Sequence, residues 1–473
     1  MDKSGLNKKI SETMGTRTLL GDPKKAIIKL SIPMIIAMSV QTIYQLADAI
    51  WVSGKGPEAL AAVGFFFPFY MLVNAFAVGL GIGGGAAISR RIGAKNAESA
   101  NSVAVHTIVL MFILSILFTI PLLTLTKPIF RLMGAVNAFD LTVSYARIMF
   151  GGTLLIFFSN VANTILRSEG DAKRAMMALV IGALLNIILD PIFIYQYELS
   201  LLGIKFSLGF GLGVSGAAVA TVISIGISCV FLFYWLFVQK NIYITFRFKG
   251  FRFKKEILKD ISKVGLPSIL SMMSISIMML ILTKVIVIIG GDDGVAIFTT
   301  GWRVIMFAIL PILGIATAVT SVSGAVYGAK DYDKLGTAHL FAVKMAIIIE
   351  ICFAVITFFL APYITKIFTW SPNTMRIADD ITHMFRVMCI FYPAVAGGML
   401  SSSLFQGTGK GFYSLTVSAT RTLLLGVPFP ILFAIVFKMG MTGIYLGIIT
   451  ATWISSIIAF TWGRLYIRKL KTG

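Results

Sequence analysis

A run of roughly twenty apolar residues can leave water only as a helix that satisfies its own backbone hydrogen bonds, and a helix of that length crosses a bilayer. This 473-residue chain carries about twelve such runs, at 27–52, 59–84, 102–125, 143–166, 174–195, 213–238, 264–289, 298–324, 338–363, 384–405, 413–436 and 441–463. The pattern predicts an all-α membrane protein with twelve transmembrane helices. Composition agrees, because 57% of residues are hydrophobic and only 13% charged, whereas soluble domains carry about 25% charged residues. The net charge of +21 would otherwise suggest nucleic acid, but the basic residues sit in short segments between the runs, mostly on the side of the N-terminus. Under the positive-inside rule both termini are then cytoplasmic, in a multi-pass protein of the cell membrane. The opening stretch MDKSGLNKKISETMGTRTLLGDPKK lacks a cleavable signal, so the first span itself has to direct insertion. Cys229, Cys352 and Cys389 lie singly within apolar runs and read as packing residues.

The two halves repeat each other. LSIPMIIAMSV is answered by VGLPSILSMMS, pairing Pro33 with Pro267, and AAISRRIGAKNAESA by GAVYGAKDYDKLGTA, pairing Gly93-Ala94-Lys95 with Gly328-Ala329-Lys330. ILRSEGDAK pairs with LFQGTGKG, and GVSGAAVAT with GMTGIYLGI. Such duplication is common in secondary transporters. It predicts two pseudo-symmetric six-helix lobes, 1–238 and 264–473, related as parallel repeats, with a substrate cavity expected between them. The basic segment 239–263 reads as a solvated linker facing lipid headgroups. Glycines 79, 81, 83, 84 and 85 read as sites of close helix contact.

Ionisable residues break the symmetry. Asp48 lies inside the first span and Asp190 inside the fifth, while the matching positions of the second half are apolar. A carboxylate at that depth is costly and usually serves a function. Tyr44 precedes Asp48 by four residues and Asn186 precedes Asp190 by four, so each pair shares a helix face. Thr221, in the sixth span, falls at comparable depth. Two carboxylates, an amide, a phenol and a hydroxyl converging there would either share a proton or bind a hard cation such as Na⁺, with Asp48, Asn186, Asp190 and Thr221 as the oxygen ligands. Glu350, mid-span in the ninth run, is the strongest remaining acid. Met272, Met273, Met278 and Met279 would give a cavity wall an adaptable surface, and Phe65, Phe66, Phe67, Phe69 and Tyr70 would offer ring faces to a cation. Lys284 reads as snorkelling outward, His106 and His339 as loop-end residues, and His383 with Arg386 as part of a local network near Asp380.

Taken together, the twelve spans, the Pro33 to Gly56 segment, the GxGGG-to-SRRIGAKN stretch, the LRSEGD turn and the LDP of the fifth span resemble the multidrug and toxic compound extrusion (MATE) family, its DinF-like branch in particular. The resemblance covers nearly the whole chain. It implies a proton or sodium site in the N-terminal lobe, at Asp48, Asn186, Asp190 and Thr221 with Tyr44 and Asn163 nearby. It also implies a secondary exporter of amphipathic organic cations that needs no cofactor beyond its coupling ion. Asn163, Met272, Met279 and Glu350 are then candidates for a substrate cavity. The partners expected are small organic molecules and membrane lipids, with neither nucleic acid nor an obligate protein. The alternative is a flippase for lipids or lipid-linked oligosaccharides, which would want a cationic cavity for phosphate. Neither H-E-x-x-H nor G-x-x-x-x-G-K-[ST] occurs, which argues against an intramembrane metalloprotease and against ATP-driven transport. A channel is disfavoured by the duplication.

Overall fold

A computed structural model describes residues 13–201, 204–239, 242–369 and 375–472. The first twelve residues of the polar N-terminal stretch, Leu202 and Gly203 before the sixth span, and Lys240 and Asn241 of the linker lie outside the described residues. Among the described residues nine helices are long and apolar enough to cross a membrane, and eleven spans result when each of two bent pairs counts once. The twelfth comes from the helix Lys255–Gly328, whose 74 residues are interrupted at Gly291 (φ 56°, ψ −151°), a conformation open to glycine alone at little cost. The spans are α1 Pro23–Ser53, α2 Pro57–Gly93, α3 Ala97–Thr124, α4 Phe139–Gly151 with Thr153–Ser168, α5 Ala172–Ile194 and α6 Val214–Val238. They continue as α7 255–290, α8 292–328, α9 Tyr332–Phe368, α10 Ala378–Met388 with Phe391–Gly407, α11 Gly411–Val436 and α12 Gly440–Thr472. The bends of α4 (45°) and α10 (49°) fall at equivalent places in the two repeats.

Equal sequence in the repeats makes equal local structure. α2 ends at Gly93 and α8 at Gly328, and each is followed by Ala and then by a lysine in the left-handed region, Lys95 at φ 56° and Lys330 at φ 60°. Asn96 N–H bonds to Arg91 O and Asp331 N–H to Val326 O, the long return bonds of a Schellman cap. The next helix starts under a side-chain cap in the second repeat, where Asp331 accepts from Lys334 N–H at 3.1 Å. Asp171 caps α5 in the same way, through Arg174 N–H, and Asp22 caps α1 through the amides of Lys24 and Lys25.

Contacts sort the chain into two units that do not coincide with its linear halves. One holds 36–88 and 97–261; the other holds 14–35, 89–96 and 262–473. In the second unit the two Schellman turns meet reciprocally: a Cβ at Gly93 would collide with the carbonyl of Ala325, and one at Gly328 with the carbonyl of Arg90. Gly93 and Gly328 are equivalent in the two repeats, as are Arg90 and Ala325, so the crossing has its own two-fold character. In the first unit the glycines of α2 act as read from the sequence. A Cβ at Gly81 would stand 3.0 Å from Thr164 Oγ1, and one at Gly85 2.6 Å from Thr164 Cγ2.

Two connections differ from expectation. The segment before α6 is a two-stranded antiparallel hairpin, β1 Tyr197–Leu201 with β2 Ile204–Leu208, Tyr197 lying opposite Leu208. Beyond it, the amides of Phe210, Gly211, Leu212 and Gly213 bond back to carbonyls at the end of α5 and to Tyr195. The linker read as a solvated 239–263 becomes α7 from Lys255, and its extended part is anchored at points along its length, Tyr243 and Ile244 being buried while 247–250 and 252–254 are exposed. Tyr243 and Ile244 N–H donate to Glu169 Oε2 at 3.0 and 3.2 Å. Thr245 N–H donates to Asn101 Oδ1 at 2.8 Å, and Lys254 N–H to His106 Nε2 at 3.0 Å. An extended segment has no ladder of its own for its amides, so side chains at the ends of α3 and α4 supply the acceptors.

Candidate functional site

The site lies wholly within the first unit and is built by α1, α2, α4, α5 and α6. Pro191 follows Asp190 within α5, and its missing N–H releases one backbone acceptor beside the buried acid. Asp190 is 0% exposed and Asn186 2%, which shows how completely this face of α5 is covered. Asn186 Nδ2 uses both of its hydrogens, donating to Asp190 Oδ1 at 3.1 Å and to Thr221 Oγ1 at 3.2 Å. The single amide therefore ties α5 to α6 and orients the carboxyl. Asp48 of α1, half-buried, stands within hydrogen-bonding reach of Asp190. A hydrogen bond between two carboxyls requires one proton between them, or else a cation on their oxygens.

Among the described residues, three acceptor oxygens of this cluster are inaccessible and have no hydrogen-bond partner: Asp48 Oδ1, Asp190 Oδ2 and Asn186 Oδ1. Each orphaned buried acceptor costs about 1–3 kcal/mol unless something supplies a proton or positive charge. Phenols surround the pair. Tyr44 interacts electrostatically with both carboxyls and with Tyr70 and Tyr145. The ring of Phe66 holds Tyr145 edge-on at 5.2 Å and tilts against Phe150 at 5.4 Å, while Phe69 packs on Phe130 and Phe150. Phe66 and Phe69 are thus committed to packing between α2 and its neighbours, whereas Phe67 is 55% exposed.

Tyr44, Asp48, Asn186, Asp190 and Thr221 are brought together; Asn163 is not. Asn163 Nδ2 donates to Ala175 O at 2.8 Å, clasping α4 to the start of α5, eleven residues and so roughly 16 Å of helix from Asn186. Tyr145 is the participant that sequence reading missed. Its only signal is a phenol inside an apolar run. At Gly152, where α4 bends, the backbone runs so close to α6 that a Cβ would stand 2.7 Å from Val222 Cγ2.

Glu350, Met272 and Met279 belong to the second unit. Glu350 is 0% exposed, and both its oxygens lack a partner among the described residues. Its electrostatic neighbour is Tyr392 of α10, which also faces Thr357 of α9. Met272 and Met279 are half-buried on α7. Two histidines read as loop residues have defined work. His339 is buried, stacked on Phe460 at 5.6 Å and 3.1 Å from Ser401 Oγ. His106 Nδ1 faces Ser102 O at 2.7 Å while Nε2 faces the Lys254 amide, so a single proton on Nδ1 serves both contacts. His383 pairs with Thr442 Oγ1 at 3.1 Å, and Arg386 stands over the Phe358 ring, in place of the network read near Asp380.

Outside the spans, Glu169 closes the turn after α4. Burial pushes its carboxyl up to about 8, although the two linker amides it accepts from favour its charged form. Among the described residues no cluster of three His, Cys, Asp or Glu side chains could hold a metal ion, so any ion at the α1/α5 cluster is a proton or a cation bound through mixed oxygen ligands.

Comparison with known proteins comes to the same arrangement of spans. The MatE family model matches residues 33–192 and again 267–432, once in each repeat. The probable multidrug resistance protein YoeA of Bacillus subtilis (strain 168) is 24% identical over 453 residues, covering 93% of this chain and 94% of that one. The multidrug export protein MepA of Staphylococcus haemolyticus (strain JCSC1435) is 24% identical over 437 residues, covering 92% of each. A MATE crystal structure in complex with MaL6 superposes with a TM-score of 0.93 at 46% sequence identity, over 98% of this chain and 100% of that one.

Proposed function

The chain belongs to the MATE family of multi-pass transporters and is not an enzyme; from that premise we propose that it is a secondary exporter of amphipathic organic cations, driven by H⁺ or Na⁺ entering at Asp48 and Asp190. Both termini are taken as cytoplasmic and the protein as resident in the cell membrane. The duplicated halves, 1–238 and 264–473, act as two lobes in alternating access, with the coupling site in the first as in the DinF-like branch. The observation that carries this reading is the carboxyl pair with three orphaned acceptor oxygens around it. Such a cluster is incomplete without a proton or cation, and its charge changes when one binds. Neutralising the pair removes the negative field that would hold a cationic drug, so ion entry and drug release are linked by electrostatics. Tyr44, Asn186 and Thr221 position the carboxyls and offer further oxygens; the names of YoeA, a probable multidrug resistance protein, and MepA, a multidrug export protein, support the substrate class.

The test is accumulation of a fluorescent organic cation in inside-out vesicles under an imposed proton gradient or an imposed sodium gradient, for the wild type and Asp48→Asn. Accumulation under one gradient, abolished by the substitution, is the expected result and identifies the ion. Accumulation under neither gradient overturns the antiport reading, and normal transport by Asp48→Asn overturns the site.

A further inference from the structure

The second unit holds a deep charge of the opposite sign and leaves it unpaired. Arg421 lies ten residues into α11 and fifteen from its end, roughly 15 and 22 Å along the helix, too deep for an arginine side chain to reach either surface. It is half-buried, whereas Lys284, Arg303 and Lys344 of the neighbouring spans are exposed. Among the described residues no hydrogen bond, ion pair or ring contact engages its guanidinium, and no opposite charge acts on it electrostatically. Glu350, the buried acid of the same unit, has no basic neighbour among them either. A guanidinium held at this depth with no carboxylate beside it is left to be matched from outside, because an uncompensated charge there is strongly unfavourable.

The backbone of α11 is broken at the same place. Residues Thr420–Leu424 form a π-helical turn, Leu425–Val427 leave the helix, and Pro428–Ile431 and a second π turn, Leu432–Val436, complete the span. Pro428 and Pro430 have no N–H, so the carbonyls of Leu424 and Gly426 lose their regular helical donors. Irregular backbone at membrane depth is tolerated where protein or a polar ligand surrounds it. α12 covers one side, Gly447 abutting Pro430 and Gly443 abutting Ala434, and Met278 of α7 lies against Gly426. Leu424, three residues on from Arg421, is 65% exposed. The repeat makes the contrast plain, since Pro430 of α11 corresponds to Pro191 of α5, yet α5 runs on as one helix from Ala172 to Ile194 where α11 is interrupted.

We propose that Arg421 at the α11 break is a binding site for a phosphate group, with Leu424 and Met278 offering apolar surface to an attached acyl chain. A guanidinium presents a planar fork that matches phosphate oxygens in pairs. The site is separate from the Asp48/Asp190 cluster and takes the opposite charge, so it is distinct from the cation site of the exporter.

Native mass spectrometry of the full-length protein released from detergent reads adducts on the folded monomer alone. The probes are short-chain phosphatidylglycerol, short-chain phosphatidylcholine and inorganic phosphate. The wild type is expected to bind phosphatidylglycerol at least tenfold more tightly than phosphatidylcholine; Arg421→Gln loses that preference by tenfold or more, and Arg421→Lys keeps it within about threefold. Displacement of the lipid by millimolar phosphate assigns the site to the free anion, and resistance to displacement assigns it to the lipid headgroup. The proposal is overturned if Arg421→Gln binds phosphatidylglycerol as the wild type does, if phosphatidylcholine binds equally well, or if Lys284→Gln weakens binding as much as Arg421→Gln. No gradient and no drug enter this measurement, so its failure leaves the exporter reading untouched.

Discussion

Replacing Gly93 by alanine tests whether the repeat builds a backbone-to-backbone crossing. A Cβ at Gly93 would have to stand at least 3.0 Å from the Ala325 carbonyl, as real Cβ atoms do, and the present spacing falls short of that by ~1 Å. The obstacle is backbone, so no rotamer change can relieve it and the two helix ends have to part. Overpacking of this kind costs about 1–3 kcal/mol and sometimes more, outweighing the ~1 kcal/mol that alanine gains over glycine in a helix. Gly328→Ala meets the Arg90 carbonyl by the same geometry and should cost a similar amount. Because both substitutions open one crossing, the double variant should lose less than the sum. Gly64 is the control: it lies in the same helix α2, exposed, with nothing within 4 Å of a built Cβ, so Gly64→Ala should be neutral or stabilising by ~0.5 kcal/mol. Thermal unfolding in detergent, followed by the monomer peak on size exclusion, reads the difference. We expect a loss of roughly 1–3 °C for Gly93→Ala and for Gly328→Ala, and none for Gly64→Ala. Melting of Gly93→Ala together with Gly64→Ala would refute the crossing.

Glu169 predicts a pH dependence. Its carboxyl is raised from 4.5 to about 8, so the folded protein takes up a proton relative to the unfolded chain. Its stabilising contribution, on the order of a few kcal/mol, is complete below about pH 4.5 and is lost as pH rises through about 8. Glu169→Gln should therefore flatten the melting temperature between pH 5 and 8.5, and slopes parallel to the wild type would exclude the residue as the source. The linker anchors should show in hydrogen exchange: His106→Ala should speed exchange at Lys254 and Glu169→Ala at Tyr243 and Ile244, each by ~10-fold, while unchanged protection would mean that neighbouring packing holds the linker. Asn186→Leu removes two hydrogen bonds at the carboxyl pair and Thr221→Val one, so losses of ~2 and ~1 kcal/mol are expected in thermal unfolding; equal losses would show that the Asp190 contact carries no weight.

Much of the architecture is legible in the chain because it depends on local terms. Burying twenty apolar residues in lipid is a sum over one segment, and the paired Gly-Ala-Lys caps form wherever that tripeptide ends a helix, so spans and repeat follow from pattern alone. The i, i+4 spacing of Tyr44 with Asp48 and of Asn186 with Asp190 put each pair on one face without reference to any other helix. Equal depth then brought α1 and α5 into register as an expectation, which the geometry of the cluster matches. Where the reading rested on depth without rotation it lost its hold. Asn163 was assigned by resemblance, yet it faces Ala175, because the angle at which α4 turns about its axis is set by packing against α5 and not by its own sequence.

Tyr145 joins the carboxyl pair through tertiary packing, its ring held by Phe66 of α2, and Glu169, Asn101 and His106 became acceptors only because a linker more than seventy residues further along the chain lies across them. Arg421 passed unnoticed for a related reason: a single cation in a long apolar run looks like any other until its surroundings show whether a carboxylate stands beside it. The sequence by itself determined which segments cross the membrane, that they are duplicated, and which deep side chains carry charge. Tertiary structure alone decided which of those charges meet, since the pairing of polar groups depends on helix rotation, bends and the path of the linker, quantities shared among segments far apart in the chain.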